Sequence, residues 1–178
     1  MSGASTRYVD QEAFERYADQ DGQEVVITQL VPATPAVAFD TFVQHVWRGG
    51  ALSEVRPGQG RGQVGHTRTV PLGIEETIVS AGEPREDDED AIPSVLYKLV
   101  KFGAMPWQDH LGFVQFVKDE SSATPQTLVI WSVKSVPTKI GNIFFCGGSL
   151  VRVAFRGVVT FMLRSGMSVL TNKKIRQD

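Results

Sequence analysis

Two charged residues stand where a β-sheet is ordinarily apolar. Arg68 and Glu76 lie in the stretch GHTRTVPLGIEETI, residues 65–78. Pro71-Leu72-Gly73 reads as a three-residue hairpin loop between two β-rich runs. With that loop Val70 faces Ile74, Arg68 faces Glu76, His66 faces Ile78 and Val64 faces Ser80. Side chains alternate between the faces of a strand. Glu76 then shares a face with Ile74 and Ile78, and Arg68 shares one with Val64 and Val70. Both charges are expected on the inner, apolar face, where a charge must be paired or must shift its pKa. Such a pair can move a proton: the arginine holds a substrate oxygen and stabilises developing negative charge, while the glutamate takes or returns the proton. The plainer reading is an ion pair that fixes the sheet or orients a ligand head group. It is the preferred one, because a register slip of one residue turns both groups to solvent and makes Glu75 the inward carboxylate. His66, on the same face as Arg68, can act as acid or base near neutral pH, although a polar side chain near the sheet rim is the simpler expectation.

Other chemistry is thinner. His45 and His110 stand far apart with no ligand spacing around them, so no metal and no cofactor are expected. The acidic run Glu86 to Asp90 reads as a solvated hairpin loop, since consecutive carboxylates rarely converge on one ion. Residues 60–65 fit G-x-G-x-x-G, but a strand follows them where a dinucleotide site needs a helix; they read as a turn or bulge. No G-x-S-x-G elbow occurs. Cys146 is the single cysteine, which excludes an internal disulfide and reads as a small buried hydrophobe. Tyr97 shares a face with Val95 and Leu99, and Trp131 with Val129 and Val133. Each can offer an O–H or N–H to a ligand, and each is equally at home as ordinary core. Trp107, in an expected loop from Gly103 to Asp109, is a candidate gate.

These residues need a scaffold. The chain has 178 residues, 42% hydrophobic and 21% charged, with a net charge of −2. That is one domain, able to bury a core without staples. It has no basic excess to neutralise phosphates, so nucleic-acid binding is not expected. Met1 to Gly22 is polar and lacks an apolar core, so it reads as an arm rather than a signal peptide. A short helix is possible from Val9 to Asp19. Glu24 to Val31 reads as a strand. Thr34-Pro35 starts a helix through Trp47 that Gly49-Gly50 stops, with a second helical turn possible at Leu52–Val55. Strands are expected at residues 63–70, 74–80, 95–102, 111–118 and 128–136. A long helix closes the chain. Ser149, Arg152, Arg156, Thr160, Arg164 and Ser168 form its polar stripe, and Phe144, Val151, Phe155, Val158, Met162 and Val169 its opposite, apolar side. Its central arginines argue against a membrane span. Short links make the sheet antiparallel. Only the final helix is long and apolar enough to cover the sheet, and a cavity beneath it is expected.

The strand EVVITQLV, the helix PAVAFDTFVQHVW, the pair PGQGRGQVGHTRTV and IEETIVSAGEP, and the later SVLYKLV and TLVIWSV resemble the START / birch-pollen-allergen / polyketide-cyclase superfamily (SRPBCC) over about Glu24 to Leu170. The resemblance implies an α+β helix-grip fold: a curved antiparallel sheet wrapped around a long C-terminal helix, with short helices after the first strand. Members usually have an extra strand beside those helices, which the sequence does not place. Some plant enzymes of the superfamily, similar to lachrymatory-factor synthase, have an arginine in a G-x-x-R strand and a glutamate early in the next; Gly65-His66-Thr67-Arg68 and Glu76 match those places. The expected organisation is an arm over 1–22, a ligand-binding domain over 23–172 and a tail over 173–178. The expected function is a cytoplasmic carrier for an apolar or amphipathic small molecule such as a lipid, sterol or polyketide. Its ligand would meet Arg68, Glu76, His66, Tyr97, Trp131, Val151, Phe155, Val158 and Met162. A cofactor-independent cyclase, dehydratase or isomerase using Glu76 and Arg68 is the alternative, and an interaction module with a collapsed cavity is a third possibility.

Overall fold

A computed structural model describes residues 7–49, 52–88, 90–139, 141 and 149–174. The chain runs α1 (Gln11–Ala18), β1 (Gln23–Val31), α2 (Pro35–Thr41), β2 (Ser53–Arg56), β3 (Thr67–Val70), β4 (Ile74–Gly82), β5 (Ser94–Lys101), β6 (Trp107–Lys118), β7 (Thr127–Pro137) and α3 (Ser149–Lys174). The seven strands form one antiparallel sheet in the order β1-β7-β6-β5-β4-β3-β2. Short links between successive strands allow only antiparallel neighbours, and β7 returns to pair with β1 along all of β1, from Gln23↔Ser135 to Val31↔Thr127.

Thr34 caps α2 by accepting from the Val37 N–H, and Pro35 takes the first turn, where its missing N–H costs nothing. The helix widens over Phe42–Trp47 to i→i+5 hydrogen bonding, closed by Arg48 N–H to the Val43 carbonyl at 3.1 Å. This wider segment carries Phe42, Val43, Val46 and Trp47, all buried, into the concave side of the sheet. There they meet Ile27, Tyr97, Val114, Phe116 and Trp131 from the strands and Val159, Leu163 and Met167 from α3. So α2 and its extension lie between sheet and final helix, and the fit is close. A Cβ added to Gly166 would sit 2.4 Å from Val46 Cγ2. The expected gap is therefore not found beneath this half of α3.

Several expectations are corrected. Leu52–Val55 is not a helical turn: β2 occupies it, and this is the extra strand the sequence left unplaced. The strand expected to begin at Gln63 begins at Thr67. Gly65 N–H and the His66 carbonyl both bond Ile78, with Gly65 at φ +85°, which makes a glycine bulge at the strand's start. Val64 consequently pairs with Gln59 rather than facing Ser80. Trp107 is the first residue of β6, buried, and not a loop residue. The N-terminal segment packs on the outer face of the sheet, where Ala13 and Tyr17 join Leu96, Leu111 and Phe113. The inward side of α3 is Val159, Leu163, Met167 and Leu170, so Val158 lies on the outward side. Cys146, Phe144 and the Gly147-Gly148 pair fall outside the described residues.

Candidate functional site

The hairpin register places Arg68 opposite Glu76 and Val70 opposite Ile74. Both charges are buried, Arg68 at 2% and Glu76 at 7% exposure. Arg68 Nε and Nη2 both donate to Glu76 Oε2, at 2.9 and 2.8 Å. Arg68 Nη1 donates to the carbonyls of Val46 and Trp47, at 3.0 and 2.7 Å. Those two carbonyls end the helical run that began at Pro35, where no further turn supplies donors. A cation there also meets the negative end of the helix dipole. The guanidinium lies 3.9 Å from the Trp47 ring centroid, a stacked cation–π contact. Arg68 thus ties β3, β4 and the widened helical segment into one unit. Glu76 uses one oxygen for this. Among the described residues, no donor reaches Glu76 Oε1.

Around the pair stands a polar ring of aromatic side chains. Trp131 Nε1–H donates to Tyr97 Oη at 2.9 Å. Burial raises the Tyr97 pKa, and the Glu76 carboxylate raises it further, so the phenol stays protonated. Tyr97 lies opposite Gly112 on β6; a Cβ there would fall 2.1 Å from the phenol ring, so only glycine leaves the ring its place. Trp47 Nε1–H donates to His66 Nδ1 at 2.9 Å, and His66 Nε2 lies 3.0 Å from Glu54 Oε2. Because the indole is a donor only, Nδ1 must accept and Nε2 carries the proton toward Glu54. Burial lowers the His66 pKa against the opposing pull of Glu54.

The inner apolar residues form two clusters joined by the His110 ring, whose centroid lies 6.0 Å from that of Tyr97 and 5.2 Å from that of Trp107. One is the main core, which includes Ile78, Tyr97 and Trp131. The other is Ile74, Leu99 and Trp107, with Val70, Phe102 and Met105 against it. Glu76 stands between Ile74 and Ile78 on one face of β4, at the seam between the two clusters.

The sequence therefore brings Arg68, Glu76, His66, Tyr97 and Trp131 together on the concave face. His66 is not a rim residue: its exposure is 2%. Met162 is partly buried against the main core. Val158, expected to line a cavity, is 55% exposed and faces away from the sheet. The side chains of Val151 and Phe155 lie outside the described residues. Trp47 and the Val46 and Trp47 carbonyls are the participants that sequence reading missed. Trp47 enters the sequence reading only as the end of a helix, and a backbone carbonyl has no residue signal. Among the described residues no group of His, Cys, Asp and Glu could hold a metal ion, and no helix is long and apolar enough to cross a membrane.

No family model matches the sequence, and no curated protein matches it at a significant level. Solved structures do resemble it. XoxI from Bacillus cereus superposes with a TM-score of 0.53 at 14% identity, covering 85% of this chain and 97% of that one. A protein from Nitrosospira multiformis gives 0.53 at 16%, covering 83% and 94%. A point mutant of norcoclaurine synthase from Thalictrum flavum, solved with a transition-state analogue, gives 0.51 at 12%, covering 85% and 96%. At such identities the likeness speaks for architecture alone. These structures share with the chain the helix-grip fold, a curved antiparallel sheet around a C-terminal helix.

Proposed function

We propose that this protein binds an amphipathic small molecule on the concave face of the sheet, with the polar end of the ligand at Glu76. The observation that carries the reading is Glu76 itself. One carboxylate oxygen is held by Arg68, while the other has no donor among the described residues and stands at the seam between two apolar clusters. The Glu76 side chain keeps 9% of its surface exposed, so this second oxygen remains open to accept a hydrogen bond. A hydroxyl or amine on an otherwise apolar ligand would satisfy it, and Tyr97 and Trp131 would flank the bound group. A carboxylate ligand would meet like charge. The ligand class is therefore a sterol or long-chain alcohol rather than a fatty acid. Residues 23–172 form the binding unit in this reading, with the arm packed outside through α1. The lone cysteine suits a cytoplasmic setting.

A proton-transfer enzyme is the weaker reading. One structural neighbour is a synthase, but Arg68 already donates to Glu76 and to two carbonyls, which leaves it poorly placed to hold a substrate oxyanion. Native mass spectrometry of freshly purified protein tests the proposal. An adduct with the mass of a neutral lipid, or one formed on adding 1-hexadecanol, is expected. Only unliganded protein under both conditions would overturn it.

A further inference from the structure

The outward side of α3 carries apolar side chains that no described residue covers. Val153 and Phe161 are each 73% exposed and Val158 is 55% exposed. Among the described side chains, Phe161 is the one aromatic ring left in the open. Val153, Gly157 and Phe161 share a shallow groove with Arg156, Thr160, Arg164 and Ser165. Contiguous exposed apolar surface of this kind marks an interaction site.

Charge narrows the choice of partner. Residues 138–178 contain seven Lys or Arg against one Asp, net +6, while residues 1–137 contain eleven against nineteen, net −8. No Asp or Glu occurs in α3 at all. Pairing two copies face to face through α3 would bring Arg156 and Arg164 of both chains together with no carboxylate on the helix to offset them. The patch instead suits a surface that is apolar just below a layer of negative charge.

We propose that the outer face of α3 docks on an anionic lipid surface. Phe161, Val153 and Val158 enter the boundary between head groups and acyl chains, and Arg156 and Arg164 lie against the phosphates. The helix lies along the surface and does not cross it. Its inner side is already fixed by Val159, Leu163 and Met167 in the core, so docking orders no new segment and spends little conformational entropy. The proposal is independent of the interior site, since Phe161 faces away from it.

Sedimentation of the full chain with vesicles tests this directly. Binding is expected to vesicles of phosphatidylcholine with phosphatidylglycerol and not to phosphatidylcholine alone, and added salt should release it. Phe161→Ser should weaken partitioning at least about tenfold, and Arg164→Ser about fivefold. Thermal melts of both variants should match the parent, because both side chains are exposed; Val153→Ser repeats the test at a second position. No binding to the anionic vesicles, or binding by Phe161→Ser and Val153→Ser equal to the parent's, would overturn the proposal. So would a dimer in light scattering that Phe161→Ser dissolves, which would assign the patch to a second copy.

Discussion

Glu75 and Glu76 are adjacent on β4, carry the same charge and each meet a basic partner, yet they live in different media. Glu75 pairs with Lys101 across the outer face at 3.1 Å, with side chains 25% and 61% exposed. Glu76 pairs with Arg68 across the inner face at 2.8 Å, with side chains 9% and 2% exposed. The period of two along a strand makes the whole difference. Outside, water screens the pair and the flexible lysine loses entropy on being held, so the bridge contributes little. Inside, the Coulomb attraction is strong but only offsets the desolvation of two ions. Arg68 is kept buried because four hydrogen bonds satisfy three of its nitrogens. Glu76 has one oxygen held by Arg68 and keeps 9% of its side chain exposed, so its second oxygen is where a ligand has most to contribute.

The largest effect should come from separating the inner pair. Arg68→Met leaves Glu76 and two helix-end carbonyls without donors, and a loss of about 3–5 kcal/mol in urea unfolding is expected. Arg68→Met/Glu76→Leu should recover part of that loss, which a double-mutant cycle measures. If the single and double variants lose equal stability, the carbonyl contacts dominate and the ion pair matters little.

Next comes pH. Burial lowers the His110 pKa from 6.5 to about 3, and burial lowers that of His66 as well. Both groups are neutral when folded, so stability is full above about pH 6.5 and falls as the unfolded chain takes up protons below it. His110 alone should remove about 2 kcal/mol between pH 7.5 and pH 5. Urea midpoints at the two pH values check this, and His110→Gln should flatten the drop. An unchanged slope in that variant would mean that His110 is not the titrating group.

A smaller effect is expected from Trp47→Phe. It keeps the ring over Arg68 but removes the N–H that fixes the His66 tautomer, for a loss of about 1 kcal/mol. An upward move of the His66 pKa by NMR should accompany it, since Nδ1 is then free to take a proton. The smallest is Glu75→Gln, expected to cost less than about 1 kcal/mol and less still at high salt. A cost rivalling that of the inner pair would erase the contrast between the two faces.

The inner pair was legible in the sequence because Pro71-Leu72-Gly73 sets the hairpin register and the strand period does the rest. The helix-grip order was legible from the same periodicities. β2 was not: Ser53-Glu54-Val55-Arg56 is an edge strand exposed at every position, so no hydrophobic alternation announces it. The packed place of α1 was hidden by its charges, because only Ala13 and Tyr17 are fully buried, with Phe14 partly so. On α3 the two neighbouring valines, Val158 and Val159, could not be told apart by type. Close contact with the α2 extension at Gly166 turns Val159 inward. The widening of the helix at Phe42 leaves no mark in composition, yet its carbonyls complete the site.

Tryptophan fluorescence tests the central claim most directly, because the Trp47 ring lies over Arg68, the partner of Glu76, and Trp131 bonds Tyr97. Titration with 1-hexadecanol and with hexadecanoate, in the parent and in a folded Glu76→Gln variant, compares a donor head group with an anionic one. The parent should bind the alcohol more tightly, and the preference should shrink in the variant. Equal affinity for both ligands in the parent, or an unchanged preference after the carboxylate is neutralised, would contradict the role assigned to Glu76.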